Sequence, residues 1–300
     1  MKRMFFMKNE SCKNDRGSFK KSIYQGIYNS LVIIMAALFL VWGFIFKTNA
    51  HENEFIVYED YYRKNDQAIM VSADTNCRKN DQALTVSSDN KGRPKKTAYL
   101  TFDDGPSNRT EEVLDILKEN DINATFFLIG NQINKSTKKT LKRLVKEGNQ
   151  VAVHTYCHEA DCIYDSADTY YNDVMKAAKR IKKYTGVDPK IYRFPWGSVN
   201  GYIKNYRKDI IMRLKKEGLE YCDWNVSGED SIGSPGARQI INNVKSNYRV
   251  YNEPVILLHD ANARKETVKA LPVIIKMYKD AGYSFDIIEN RNKPYQWKPY

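Results

Sequence analysis

From Thr97 onward the sequence keeps changing its hydrophobic period. Short apolar runs of strand type fall at residues 98–102, 124–129, 150–154, 191–194, 220–226, 255–259 and 283–286. Between them lie segments with helical spacing, at 111–120, 136–147, 169–185, 206–217, 237–248 and 265–281. This alternation leaves few folds open. Each helix carries the chain back, so the strands pair in parallel and the helices cover the sheet. The pattern predicts an α/β fold, a distorted seven-stranded (β/α) barrel. Three helical segments run into Gly148, Gly218 and Gly282, where a left-handed C-terminal residue costs least. In such folds the chemistry sits at the C-terminal ends of the strands.

Those ends hold reactive residues. The first strand runs into Asp103 and Asp104, followed by Gly105 and Pro106, which break it. Adjacent residues at a strand end point different ways, so one carboxylate can bind a metal while the other faces a water. Alone, Asp-Asp-Gly-Pro also reads as a solvated turn. The third strand ends in His154, which opens His-Thr-Tyr-Cys-His. On a helical turn His154 and His158 would share a face and converge on one ion. With one carboxylate they leave coordination positions open. The fourth strand ends in Arg193, Phe194, Pro195, Trp196 and Gly197. The arginine can orient a carboxylate by paired hydrogen bonds; the Phe-Pro-Trp stretch either lines a sugar-stacking groove or packs into the core. The sixth strand ends in His259, placed to act as a general acid, and Leu257 or Leu258 could wall a small acyl pocket.

The segment before Thr97 is of another kind. Residues 31–46 carry no charge, and extended back to Ile27 the stretch has the length of a bilayer span, about 20 residues. Basic residues dominate ahead of it, so 1–26 is expected in the cytoplasm and the rest outside. The stretch is long for a cleaved signal peptide, and an uncleaved anchor at 27–46 is the expectation. Residues 47–96 read as a polar stalk, in which RKNDQAIMVSAD at 63–74 recurs as RKNDQALTVSSD at 78–89. Two copies are too few and too polar for a solenoid. The predicted organisation is therefore tail, anchor, stalk and a globular domain at 97–300, single-pass in the cell membrane with the domain on the wall side. A net charge of +12 points to an anionic partner. No zinc-finger spacing or base-reading helix is present, so a membrane or wall polymer fits better than nucleic acid. Five cysteines make no disulfide framework, and a Cys157–Cys162 pairing stays open.

Taken together, TFDDGPS, HTYCH, RFPWG, DWNVSGED and LLHD, in that order, resemble the polysaccharide deacetylase family, the NodB-homology domain of carbohydrate esterase family 4. The resemblance spans about 97–288. It implies a distorted (β/α) barrel and a divalent metal, often Zn2+ and sometimes Co2+. It implies hydrolysis of linear amides or esters, removing N-acetyl groups from amino sugars or O-acetyl groups from xylan. By motif, Asp103 resembles the catalytic base, Asp104, His154 and His158 the metal ligands, Arg193 the residue that orients the base, and His259 the general acid. Leu257, Pro195, Trp196 and Trp224 correspond to substrate contacts. One motif departs from the pattern: Ser227 stands where many members carry the aspartate that tunes the histidine, and Asp230 is the candidate replacement. With the anchor, the resemblance points to peptidoglycan N-acetylglucosamine as substrate. Chitooligosaccharide or exopolysaccharide deacetylation, an O-acetyl esterase and a catalytically silent glycan-binding protein are the alternatives.

Overall fold

The computed structural model describes residues 96–203 and 205–298. The predicted tail, anchor and stalk lie outside the described residues, among which no helix is long and apolar enough to cross a membrane. In chain order the elements are β1 (Thr97–Gly105), α1 (Asn108–Glu119), β2 (Thr125–Leu128), α2 (Lys138–Lys146), β3 (Gln150–Val153), α3 (Ala160–Ile163) and α4 (Ala167–Thr185). They continue with β4 (Ile191–Tyr192), α5 (Arg207–Lys216), β5 (Glu220–Tyr221), β6 (Val226–Ser227), α6 (Ala237–Asn247), β7 (Val255–His259), α7 (Lys265–Asp280) and β8 (Ser284–Phe285).

The strands pair in parallel in the order β5-β4-β3-β2-β1-β7-β6, with β8 on the N-terminal end of β1. β1 is central and buried almost throughout, as a parallel strand covered on both faces must be. Its side chains alternate. Ala98, Leu100 and Phe102 join the core with Val113, Leu114 and Leu117 of α1, while Thr101 and Asp103 face the other way. In β7, Ile256 and Leu258 join the same core, and Leu257 and His259 alternate with them. Period-2 alternation thus sends Asp103 and His259 to one side, in register with each other.

The barrel does not close by pairing. Among the described residues β5 and β6 form the two edges of the sheet. The single strand expected at 220–226 is in fact these two short strands, because residues 222–225 must pass from one edge to the other. Cys222 N donates to Tyr192 O at 2.9 Å on one side, and Asn225 N to Val255 O at 3.1 Å on the other. Between them Asp223 N donates to Tyr295 O at 2.7 Å, so the C-terminal segment fills the split.

Helix boundaries follow local chemistry. Ser107 caps α1: its Oγ accepts from Arg109 N at 2.9 Å, and its own N–H donates to Thr110 Oγ1 at 2.9 Å, a reciprocal box. Gly148, Gly218 and Gly282 have φ of 86°, 79° and 81°, the left-handed conformation expected of them.

Candidate active site

The ends of β1, β3, β4 and β7 meet at one place. By strict alternation Asp104 would turn away from Asp103. Instead its φ is 73°, the register against β2 shifts between Asp103 and Gly105, and the Gly105–Pro106 peptide is cis. That bulge brings both carboxylates to the site, since an extra residue in a strand re-aims a side chain. The His154–His158 segment is not the helical turn expected from its spacing. It is a loop in which Thr155 and His158 both have φ of 63°, and α3 begins only at Ala160. A helix there could not also hand His154 directly from the end of β3. Asp173, from α4, holds the loop by accepting from the backbone N–H of Tyr156 and Cys157.

Three ligand-type atoms converge here, all within 4.8 Å of one another: one each from Asp104, His154 and His158. His154 Nε2 and His158 Nε2 are 3.1 Å apart, and Asp104 Oδ1 lies 3.2 Å from His158 Nε2 and 3.6 Å from His154 Nε2. His154 Nδ1 is 3.1 Å from the carbonyl of Arg193, which can only accept, so Nδ1 carries the proton and Nε2 its lone pair. Burial, then the charges of His158 and Arg193, hold His154 well below its ordinary pKa, so the ring is neutral. Asp104 Oδ1 is buried without a hydrogen-bond partner. Two imidazole nitrogens facing each other beside an orphaned carboxylate oxygen fit a divalent cation.

Asp103 stands beside this trio, its Oδ2 3.6 Å from His154 Nε2. Its Oδ1 accepts from Arg193 at 2.7 Å. Arg193 is fully buried and also donates to Thr101 Oγ1 at 2.9 Å, Cys222 O at 2.8 Å and Asp223 O at 3.2 Å, with its guanidinium over the Phe127 ring at 4.0 Å. Four of its five N–H groups are used, so the guanidinium is a rigid holder. Burial raises the Asp103 pKa, and this outweighs the lowering effect of Arg193 and His259. The site therefore presents an oriented carboxylate of increased basicity.

Across the strand pair, His259 Nδ1 lies 2.8 Å from Asp230 Oδ1. Asp230 Oδ2 accepts from His259 N at 2.8 Å and Thr267 Oγ1 at 2.7 Å. Burial pushes the imidazole pKa down, but the charge and hydrogen bond of Asp230, with Asp104 and Asp103 behind them, raise it to about 9. Ser227 is turned elsewhere, its Oγ accepting from Glu229 N at 3.0 Å. Asp260, the next residue, is fully buried, and burial raises its carboxyl to about 7. It ties the Asp104 bulge down: its Oδ2 accepts from Thr110, its carbonyl from Ser107, and its N–H donates to Asp103 O at 3.1 Å.

Of the candidate substrate contacts, Trp196 is 36 % exposed, with its ring centroid 5.4 Å from that of His158. Pro195, Trp224 and Leu257 are buried. Pro195 acts through its carbonyl, which accepts from Tyr164 at 2.9 Å. Trp224 packs edge-on against Trp297 at 4.5 Å, and Trp297 Nε1 donates to its carbonyl at 2.7 Å. Gly197, at φ 82°, lies so close to the Trp297 ring that a Cβ would run into it. Tyr202, 37 % exposed, stacks on Tyr164 at 5.5 Å and extends the aromatic rim beyond Trp196. Cys157 and Cys162 are free thiols; the hydrogen bond that the Cys162 thiol donates to Cys157 raises Cys162 to about 11. Sequence reasoning missed Thr101, Asp173, Asp223, Thr267 and Trp297. Thr101, in TFDDGPS, and Asp223, in DWNVSGED, lie in motifs; the others reach the site by packing alone.

A carboxylate that can take a proton, a histidine that can give one and a cation site between them are the equipment of a hydrolase. Comparison with known proteins places it more closely. The profile described as polysaccharide deacetylase matches residues 90–214. The chain is 35% identical over 200 residues to a peptidoglycan-N-acetylglucosamine deacetylase of Bacillus cereus, covering 65% of this chain and 70% of that protein. It is 38% identical over 192 residues to a bifunctional xylanase/deacetylase of Pseudobutyrivibrio xylanivorans, covering 64% of this chain and only 29% of that longer protein. Among solved structures, the catalytic domain of a peptidoglycan N-acetylglucosamine deacetylase from Eubacterium rectale superposes with a TM-score of 0.64 at 31% identity, covering 73% of this chain and 98% of that one. The chain belongs to the polysaccharide deacetylase family, carbohydrate esterase family 4.

Proposed function

We propose that this protein removes N-acetyl groups from amino sugars of the cell wall, foremost N-acetylglucosamine of peptidoglycan, in a metal-dependent hydrolysis. The observation that carries this reading is the register of Asp103 against His259, with the Asp104–His154–His158 trio beside them. Peptidoglycan as substrate is supported by the names of the Bacillus cereus and Eubacterium rectale proteins and by the predicted anchor, which would hold the domain on the wall side of the membrane. The nitrogen and oxygen donor set suits Zn2+.

The reaction needs a water activated on one face of the amide and a proton supplied to the leaving nitrogen. Asp103, held by Arg193, takes the proton of the attacking water. His259 Nδ1 is committed to Asp230, so Nε2 is the atom free to donate. It protonates the amine nitrogen as the C–N bond breaks, and acetate and a free amine leave. A cation bound by Asp104, His154 and His158 would supply Lewis-acid polarisation of the acetyl carbonyl and of the water. Leu257 borders this centre as an apolar side chain, consistent with room for a methyl rather than a charged group. Trp196 and Tyr202 offer aromatic faces on which a sugar ring can stack.

The test is release of acetate and appearance of free amines when the full-length protein acts on purified peptidoglycan. Release is expected with Zn2+, lost with a chelator and restored by adding the metal back. Release from O-acetylated xylan alone would make the protein an esterase. No release from any acetylated glycan, with metal bound, would make it a silent glycan-binding protein.

A further inference from the structure

His158 is less firmly held than His154, the other histidine of the cation site. Its side chain is 26 % exposed, against 3 % for His154. The backbone before it is tied down: Gly130 N donates to Thr155 O at 2.9 Å and Asn131 N to Tyr156 O at 3.0 Å, while Asp173 accepts from Tyr156 N at 2.5 Å and Cys157 N at 3.4 Å. The backbone after it is tied from Glu159 onward, whose carbonyl accepts from Cys162 N at 2.9 Å and Ile163 N at 3.0 Å as α3 begins. Ile163 is buried in the core. Among the described residues, the backbone of His158 itself makes no hydrogen bond.

Cys157 and Cys162 stand on either side of this gap. The Cys162 thiol donates a hydrogen bond to Cys157, so the two side chains meet across the turn that carries His158. Closing from there to the disulfide length, about 2.05 Å, is a small approach. Cys157 is half-buried and packs against the core, and Cys162 is exposed. Cys222, the third cysteine among the described residues, is fully buried, and its thiol donates to Asp223 O at 3.3 Å. It does not compete for either partner. Neither Cys157 nor Cys162 belongs to the ligand trio, and the hydrolysis calls on neither. Two adjoining thiols, one open to solvent and one half-buried, suit exchange with an external disulfide, in which the first attacks and the second resolves.

We propose that Cys157 and Cys162 are a redox-modifiable pair, whose oxidation to a disulfide clamps His158 and slows loss of the bound cation. The oxidant is a low-molecular-weight disulfide, RSSR. Cys162, as thiolate, attacks one of its sulfurs and expels RS⁻, leaving the mixed disulfide Cys162–S–S–R. The Cys157 thiolate then attacks Cys162 Sγ and expels the second RS⁻. The two thiol protons end on two RSH, so the protein gives up two hydrogens and RSSR takes them. The closed ring spans residues 157–162 with His158 inside it, and leaves that backbone fewer alternatives. The wall side of the membrane, where the predicted anchor would hold the domain, lacks the thiol-reducing systems of the cytoplasm. The bond itself is independent of the reaction; its effect on the cation rests on the deacetylase reading of Asp104, His154 and His158 as metal ligands.

The test loads purified full-length protein with Zn2+ in detergent, treats it with oxidised or reduced glutathione, removes the glutathione and adds a chromogenic chelator. The mass of the peptide spanning 157–162, taken after alkylation of free thiols, reports the bond. The rate at which Zn2+ reaches the chelator reports the clamp. With oxidised glutathione the wild-type peptide is expected to lose two hydrogens and take no alkyl group, and Zn2+ release to slow about tenfold. Dithiothreitol should restore the faster rate. Cys157→Ser should keep a glutathione on Cys162, and Cys162→Ser should form no internal bond. In both, the oxidised and reduced forms should release Zn2+ within about twofold of each other. A wild-type peptide that stays alkylated, a mixed disulfide that is never resolved, or a bond with unchanged or faster Zn2+ loss would overturn the proposal. So would equal slowing in the serine variants, or slowing that dithiothreitol does not reverse. Acetate release from an N-acetylglucosamine oligosaccharide, read in parallel, keeps the two readings apart. Slowed Zn2+ loss without hydrolysis leaves the clamp and removes the activity, whereas no Zn2+ binding in either form overturns the ligand trio and the clamp with it.

Discussion

His259 carries the charge of its neighbours into its own titration. Asp230, Asp104 and Asp103 raise it to about 9 against the cost of burial, so it stays protonated through neutral pH, as the proposed role of proton donor requires. Activity should fall as the pH rises through that value. In Asp230→Asn the donor loses its main partner, and the basic limb of the kcat/KM profile should move to lower pH, with kcat down by at least tenfold. An unmoved limb would remove Asp230 from the proton chemistry. The pair also contributes to stability. A histidine raised in the folded state stabilises fully below its unfolded value, about 6.5, and the contribution is lost as pH rises through the folded one. The melting-temperature gap between wild type and Asp230→Asn should therefore be widest near pH 6 and shrink beyond pH 9. Replacing His259 by Ala should cost about 10²–10⁴ in kcat while acetylated substrate still binds, which equilibrium binding can check.

At the scale of elements, the site is built from strand ends joined by unusual backbone. Asp104, Thr155, His158 and Trp196 all have φ between 59° and 73°; Asp104 lies in the bulged end of β1, and the others on the loops that follow β3 and β4. Non-glycine residues hold such conformations only when their surroundings over-determine them. For the histidine loop, the surroundings include Asp173 of α4. Its carboxyl is raised in pKa, chiefly by burial, and accepts two backbone N–H groups. Asp173→Ala should leave the fold intact but loosen His158, lowering Zn2+ affinity by about 10–100-fold in a competition titration. Unchanged affinity would show that the loop holds itself.

For the whole molecule, the open question of any incomplete barrel is what seals its split. Here residues 222–225 cross it and Trp297 plugs it. Asp223 is the knot: its carboxylate accepts from Ser198 N at 2.9 Å, Ser198 Oγ at 2.7 Å and Trp297 N at 2.9 Å. Trp297→Ala should destabilise by about 1–3 kcal/mol, seen as a lower denaturant midpoint, and should raise KM more than it lowers kcat, because Gly197 and Trp224 lean on the indole while Asp103 and His259, the proposed proton-transfer pair, do not. Equal stability would mean that the tail only rests on the split.

Much of this was legible in the chain itself. Period-2 runs separated by helical spacing dictate a parallel sheet under helices, because a short crossover cannot return the chain otherwise. The runs also place Asp103 and His259 at strand ends, and the glycines that close the helical runs mark helix ends. What no local pattern contains is pairing across the sheet. A run at 220–226 looks like one strand until the curled sheet needs its two halves on opposite edges. His-x-x-x-His looks like a helical turn until β3 must end at His154 and Asp173 must hold the backbone beyond it. Ser227 stands in the motif position, yet Asp230 reaches the imidazole, because the turn after β6 folds back over β7. Local propensity decides which elements form. The long-range hydrogen bonds of Asp230, Asp173 and Asp223, at separations no periodicity encodes, decide where the reactive atoms sit.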